Sequence, residues 1–531
     1  MQTTELKPFT NEAIRTFSDA AEIVAMEAAL AKARETLGQH YPVVVAGRAL
    51  ETAATITSYN PAVPSEVVGV VGSASLDQAL LAVESAARVF ETWKRVAPDV
   101  RAGYLFKAAE TVRARRDDFN ALLVLEVGKS WIEADADTAE AIDFLEFYAR
   151  EALRYANPPP LTAIPGEDNR LSYIPLGVGV VIPPWNFAFA IMAGMTTAAL
   201  VAGNTVVLKP SSDSPVVAAV FVQLLHDIGV PPGVVNFVPG SGRTIGDALV
   251  AHAKTRFIAF TGSKEVGLHI NELASKTQNG QIWIKRVIAE MGGKDSIVVA
   301  ADADLDAAAD GIVAAAFGFS GQKCSACSRA IVDASVYDAI EKKIVERVTR
   351  LTVGNPAERG TFMGPVINEG AMKSILGYTE TAIAEGGRLI AGGKRAAGDG
   401  YFVEPTVVAD VAPGATISLE EIFGPVLALI KAKDFDDALA IANNTEFGLT
   451  GAVYSGDEAK LARAREEFYV GNLYLNRKCT GAMVGGHPFG GFNMSGTDSK
   501  AGGYDYLALF TQAKMVSKKI GGVGNGKIGG E

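Results

Sequence analysis

Cysteine is nearly missing from this chain: only Cys324, Cys327 and Cys479 occur in 531 residues. A disulfide framework is therefore not expected, and a reducing compartment is. Histidine is scarce as well. The five present, His40, His226, His252, His269 and His487, form no metal-spaced pair, so no metal site is expected. Positive charge is outweighed, with 49 Lys and Arg against 60 Asp and Glu and a formal net charge of -11. Neutralising phosphates needs a basic stripe that is missing, which argues against nucleic-acid binding. No internal repeat of fixed period occurs. The opening MQTTELKPFTNEAIRTF has neither a signal peptide's apolar run nor a transit peptide's Arg-rich, acid-poor face, so a cytoplasmic protein is expected.

One uncharged stretch, Leu171 to Leu208, is long enough to suggest a membrane span. Pro175, Pro183 and Pro184 break it, and Ala188 to Val201 is a helix-length run of small residues suited to packing on a sheet. No membrane helix is expected.

Hydrophobic residues make up 48% and charged residues 21%, an ordinary globular balance, and the length suits two large domains with small appendages. Runs rich in Val and Ile recur between helix-like segments: Val178 to Ile182, Thr205 to Leu208, Val234 to Val238, Phe257 to Phe260 and Ser296 to Val299. Such alternation indicates parallel α/β structure. Leu76 to Val96 and Val100 to Val127 read as long amphipathic helices, and the α/β style returns from Ala330 to Ile430. The stretch Ala156 to Ser172 contains NPPPLTAIPG, which cannot be helix interior and reads as an extended arm. An arm needs support, and a second subunit would provide it; a surface loop is the alternative. The Gly-rich tail Gly521 to Glu531 is expected to be mobile.

The densest chemistry lies in GQKCSACSR, Gly321 to Arg329. By itself the Cys324/Cys327 CxxC could be a redox pair, half a zinc site, or two small buried hydrophobes. Zinc is the weakest reading, since no second CxxC exists. Upstream, AEMGGKDS places Glu290 directly before a glycine pair that permits close backbone approach. IPPWNFAFA, LKPSSDSP, FTGSKEVG and EEIFGPV complete the set.

With these motifs in this order, the sequence resembles the aldehyde dehydrogenase superfamily over nearly its whole length. The resemblance implies an α/β fold with a Rossmann-like cofactor domain (1–153 and 173–290), a catalytic α/β domain (291–504) and a bridging oligomerisation arm (154–172 and 505–525). It implies Cys324 as nucleophile, Glu290 as general base, and the Asn186 amide with the Cys324 backbone N–H as oxyanion donors. NAD is the implied cofactor. FTGSKEVG supplies Gly262, Ser263 and Gly267 at the opening of a helix, where a pyrophosphate is favoured. The loop GSGRTIG with Gly242 lies near the adenine in the family, Lys209 holds the adenosine ribose, Glu421 the nicotinamide ribose, and Phe423 packs by the ring or is plain core. Ser212 stands where many NAD-preferring members have Glu, so NADP is expected to be usable too.

CSACSR, NRKCTGAMVGGHPFGGFNMSGT and EAIDFLEFYAR resemble the branch acting on L-glutamate γ-semialdehyde, the open form of 1-pyrroline-5-carboxylate. This implies the second step of proline breakdown. It also implies a homo-oligomer (dimer or dimer-based hexamer), and a proline dehydrogenase on a separate chain as functional partner. The substrate's carboxylate would be clamped by Ser325, Gly481 and Ala482, with Phe187 and Phe489 along its chain. Alternatives are another small polar aldehyde such as succinate semialdehyde, a CoA-acylating variant, or a non-catalytic structural protein on the same fold.

Overall fold

The structure is a computed structural model that describes residues 6–520; the tail from Gly521 lies outside the described residues. Two seven-stranded sheets organise it. In the first, the spatial order is Arg286–Glu290, Thr255–Thr261, Val178–Ile182, Thr205–Leu208, Val235–Phe237, Val43–Val45 and Arg48–Leu50. The first five run parallel, and the last two are an antiparallel addition from the N-terminal region. Four of the five apolar runs named above are strands of this sheet, contain one or lie within one, and the fifth, Ser296 to Val299, is a strand of the second sheet.

Strand alternation explains how each sheet is covered. Val181, Val206 and Leu208 face one way and share a core with the helix Ala190–Val201. Val178, Val180 and Val207 face the other and share a core with Leu76–Trp93. Each fully buried Val or Leu contributes about 1.5–3 kcal/mol. The helix Leu76–Trp93 opens with a reciprocal capping box between Ser75 and Gln78. Gly179 leaves room for a ring: a Cβ there would lie 2.1 Å from Phe257.

The second sheet runs Arg388–Ala391, Thr406–Ala409, Val426–Ala432, Arg329–Asp333, Ser296–Val299, Thr450–Tyr454 and Asn472–Leu475. Only its first strand is antiparallel. Here too the faces alternate. Ile297, Val299, Ala330 and Val332 pack with Leu305–Phe317 and Tyr337–Val348, while Val298, Ile331 and Val453 pack with Glu369–Ala384 and Phe435–Asn443.

Two expectations need correction. Val100 to Val127 is not one helix but two, Pro98–Ala114 and Arg116–Val127, because Arg115 leaves helical geometry at φ -112° and ψ 22°. The extended arm starts where its prolines suggested but runs on to Pro175 rather than ending at Ser172. The helix Trp131–Ala156 runs up to Asn157, and the strand Glu167–Pro175 pairs antiparallel with Thr511–Lys519. That ribbon leaves Met515 and Val516 largely exposed. No helix among the described residues is long and apolar enough to cross a membrane.

Candidate active site

A cavity of about 260 Å³ lies where the two sheets meet. Its wall includes Phe187, Glu290, Cys324, Ser325, Gly481, Ala482 and Phe489, seven of the residues singled out from sequence. The size and the apolar wall with a few polar groups suit a small metabolite.

The loop carrying Cys324 is held in an unusual shape. After the helix Leu305–Phe317, Phe319, Ser320 and Gly321 take φ of 51°, 56° and 67°, a left-handed run that only the glycine adopts without cost. Surrounding contacts hold it there. Ser320 Oγ donates to the Gly364 carbonyl at 2.8 Å, and a Cβ on Gly321 would meet the Gly424 carbonyl at 2.3 Å. Gln322 accepts the Ile367 N–H at 2.8 Å, and its own carbonyl takes a hydrogen bond from Asn186 Nδ2 at 3.0 Å. Asn186 is therefore bound to the nucleophile loop, although it is not part of the cavity wall.

The glycine pair after Glu290 explains itself atom by atom. A Cβ on Gly292 would lie 2.1 Å from the Glu421 carboxylate, and one on Gly293 would lie 2.3 Å from the Cys324 carbonyl. Each glycine lets one site element approach the backbone. Glu421 in turn accepts the Gly293 N–H at 3.0 Å.

Glu290 ends the strand Arg286–Glu290 and is buried. Burial pushes its carboxyl up to about 7, against hydrogen bonds donated by Ser499 Oγ (2.6 Å), Gly491 N–H (3.1 Å) and Ser499 N–H (3.3 Å). A carboxyl near 7 suits a general base at neutral pH. The half-buried Cys324 is held well above its ordinary value by desolvation and by Asp295, Glu421 and Glu290. Its neighbour in the CxxC, Cys327, faces away into the core beside Cys479, whose thiol is raised by a hydrogen bond with Cys327 and by burial.

Elsewhere on the same wall, Gly481 sits at φ 81°, so only glycine is comfortable there. Arg477 Nη2 braces that turn by donating to the Thr480 and Gly481 carbonyls at 2.9 and 3.1 Å. Ser325 is buried, and its carbonyl accepts the Cys479 thiol at 3.4 Å.

The residues assigned to the cofactor lie outside the cavity wall: Lys209, Ser212, Gly242, Gly262, Ser263 and Gly267 beyond the ends of the first sheet's strands, Glu421 and Phe423 before the strand Val426–Ala432 of the second. Ser263 caps the helix Lys264–Ser275, its Oγ accepting the Val266 N–H, and the first turn presents open N–H groups. Gly267 lets that helix close on Met291, where a Cβ would lie 2.4 Å from the sulfur. Lys209 follows Thr205–Leu208; burial brings it down to about 8, and its ammonium donates to the Pro210 carbonyl at 3.3 Å, leaving donors for hydroxyl groups. Gly242 and Ser212 are exposed. Phe423, at φ 57°, meets Trp185 edge-on with centroids 5.6 Å apart.

Sequence reasoning missed several wall residues: Glu133, Glu140, Lys323, Lys478, Ser499 and Tyr506. Glu133, Ala136, Glu140 and Phe144 lie three to four apart on the helix Trp131–Ala156, a face that helical spacing could have revealed. Lys323 pairs with Glu133 at 2.7 Å. Glu140 is pushed up to about 8 by burial and by Asp137, with Lys129 opposing.

A sequence profile described as the aldehyde dehydrogenase family matches residues 48–516. The chain is 57% identical over 514 residues to 1-pyrroline-5-carboxylate dehydrogenase of Bacillus cytotoxicus, covering 97% of this chain and 99% of the relative. Among solved structures it is similar to 1-pyrroline-5-carboxylate dehydrogenase from Thermus with bound NAD, at 49% identity and a TM-score of 0.95, over 97% of this chain and 100% of that one. It also matches proline utilization A from Bdellovibrio bacteriovorus at 44% identity and a TM-score of 0.95, over 96% of this chain and 53% of that one.

Proposed function

The chain belongs to the aldehyde dehydrogenase family, and from that premise we propose that it oxidises L-glutamate γ-semialdehyde, the open form of 1-pyrroline-5-carboxylate, to L-glutamate with NAD. The observation that carries this reading is the cavity itself: Cys324 and Glu290 share a wall with Ser325, Gly481, Ala482, Phe187 and Phe489.

Cys324 is the nucleophile: its thiol proton passes to solvent and the sulfur adds to the aldehyde carbon, a step for which sulfur's nucleophilicity matters more than its basicity. The oxygen that becomes negative is met by the second Asn186 N–H, the first being committed to Gln322, together with the Cys324 backbone N–H. NAD, when bound, supplies the hydride acceptor. Lys209, Ser263 at its helix start, and Glu421 hold it, with Phe423 beside the ring. After oxidation the acyl group rests on sulfur as a thioester. Glu290 then takes a proton from water and directs it at the carbonyl, and glutamate leaves with Cys324 restored. At the far end Ser325 and the Gly481–Ala482 turn take the α-carboxylate, while Phe187 and Phe489 flank the methylenes. Both sheets contribute to both tasks: Lys209 and Ser263 for the cofactor, Asn186 and the base Glu290 come from 173–290, while the nucleophile Cys324 and the cofactor residues Glu421 and Phe423 come from 291–504.

The ribbon Glu167–Pro175 with Thr511–Lys519, exposed from Gln512 to Lys519 on its second strand, serves a homo-oligomer. A proline dehydrogenase on another chain feeds the substrate, in the cytoplasm. The test is NADH absorbance with three aldehydes at equal concentration. Glutamate semialdehyde should exceed succinate semialdehyde and propanal in kcat/KM; a higher value for either competitor would replace this substrate.

A further inference from the structure

Beneath the cavity lies a buried charge that the mechanism above does not use. Lys129 and Asp137 are both fully buried and pair at 2.9 Å. Replacing a buried ion pair by apolar groups is often neutral or stabilising, so stability alone is a poor reason for one. Its surroundings suggest another.

The Lys129 ammonium stands 4.3 Å from the centroid of the Phe187 ring and 4.7 Å from that of Phe319. Phe187 belongs to the cavity wall and Lys129 does not, so the ammonium sits behind the ring that flanks the substrate. Phe319 opens the left-handed run leading to Cys324. The Phe319 ring meets Trp185 edge-on at 6.3 Å, and Trp185 meets Phe423 edge-on at 5.6 Å. Asp137 uses its other oxygen to accept the Ala190 N–H at 2.6 Å, fixing the helix that begins three residues after Phe187. The turn preceding Lys129 also reaches the nucleophile loop. Gly364, whose carbonyl takes the Ser320 hydroxyl, is packed so closely that a Cβ on it would lie 2.2 Å from the Gly128 carbonyl.

We propose that Lys129, held by Asp137, is a positioning residue that sets the substrate-flanking wall at Phe187 and the nucleophile turn at Phe319 in one register. A cation is attracted to an aromatic face and fixes ring and charge relative to each other. One ammonium on two rings therefore couples their positions. Removing the charge frees both, and displacements of about 1 Å near reacting groups are costly. The inference rests on the substrate reading above for one of its two readouts only.

The test compares wild type with Lys129→Met, which preserves length and removes charge. Lys129→Met/Asp137→Asn also avoids an unpaired buried carboxylate, should the single variant fail to fold. The first readout is the rate of Cys324 alkylation by iodoacetamide, located by peptide mass spectrometry, which needs no substrate. The second is kcat/KM for glutamate semialdehyde and for propanal. Alkylation should slow about fivefold, semialdehyde efficiency should fall about tenfold, and propanal should lose roughly threefold, since it is too short to use the Phe187 wall. A purely structural pair would lower the thermal midpoint and leave alkylation and the ratio of the two substrates within about twofold of wild type, which would overturn the proposal. Absence of semialdehyde oxidation in wild type would sink the substrate reading while the alkylation rate still judged Lys129.

Discussion

In the first sheet every strand that reaches the site does so at its C-terminal end: Asn186 and Phe187 follow Val178–Ile182, Lys209 follows Thr205–Leu208, Ser263 follows Thr255–Thr261, and Glu290 closes Arg286–Glu290. In the second sheet the site residues mostly come before the strands. Gly293 precedes Ser296–Val299, Cys324 precedes Arg329–Asp333, and Glu421 precedes Val426–Ala432. The C-terminal side of parallel strands is where the next helices begin, and helix starts favour anions. That side suits a pyrophosphate. The N-terminal side lacks this help: Cys324 comes after the end of the helix Leu305–Phe317, so nothing of the helix dipole favours a thiolate there. Catalysis on that side depends on individual groups placed by loop geometry.

If the second sheet supplies the bond-making group, its loss is the largest effect available. Cys324→Ala is expected to lower turnover by roughly 10⁴ or more, with NAD affinity, measured by fluorescence titration, nearly unchanged. Cys327→Ala, on the buried side of the same CxxC, should stay close to wild type. Activity retained in the first variant and lost in the second would reverse the assignment of the two sulfurs.

The first sheet's contribution to chemistry should appear after that bond is made. Glu290→Gln is expected to give a burst of NADH and then a steady rate about a hundredfold lower, because the amide cannot take the proton from water. The same carboxyl gives a pH signature with a definite sign. Only its ionised form is a base, so steady turnover should fall as pH drops through about 7. Ser499→Ala removes a hydrogen bond that favours the ionised form, and should move this limb to higher pH by about one unit. A limb that does not move would place the titrating group elsewhere.

Substrate selection divides the sheets more finely. Ser325→Ala should weaken kcat/KM for glutamate semialdehyde about tenfold, the size of a hydrogen bond to a charged group, and leave propanal little changed. Equal losses for both would mean disturbed Cys324 geometry instead. The smallest effect is expected on the exposed cofactor edge. NADP should support turnover in the wild type, and Ser212→Glu should reduce NADP efficiency about fivefold by repulsion that salt weakens. Failure of the wild type with NADP at high concentration would remove Ser212 from the explanation.

Much of this was legible in the sequence. Each apolar run named a strand because a parallel sheet covered on both faces leaves few polar positions within its strands. Cys324, Glu290 and the Ser325–Gly481–Ala482 set were named through the family resemblance that the ordered motifs carry, since the CxxC and the lone Glu290 left several readings open by themselves. The helical face of Glu133 and Glu140 was legible in principle through its spacing. The Lys323–Glu133 pair was not, since it joins residues 190 apart. Nor was the separation of Cys324 from Cys327, because adjacency in a CxxC does not say that one sulfur faces the cavity and the other the core. The length of the arm was misjudged because prolines mark where a helix cannot be, not where a strand finds its partner.

The donors that serve Glu290 have a temporal consequence. Ser499 reaches it across 209 residues of chain, and the ribbon Glu167–Pro175 with Thr511–Lys519 closes contacts separated by as many as 352, from Glu167 to Lys519. Contacts so distant form late, since the closure entropy must be overcome before they contribute. Synthesis proceeds from the N-terminus, so a ribosome-bound chain lacking its last few dozen residues carries Cys324 and Glu290 but leaves the buried carboxylate without its serine donor and the arm strand without its mate. The nascent protein can thus fold much of both sheets before it can turn over, and its arm strand Glu167–Pro175 offers unpaired backbone groups until Thr511–Lys519 has been made.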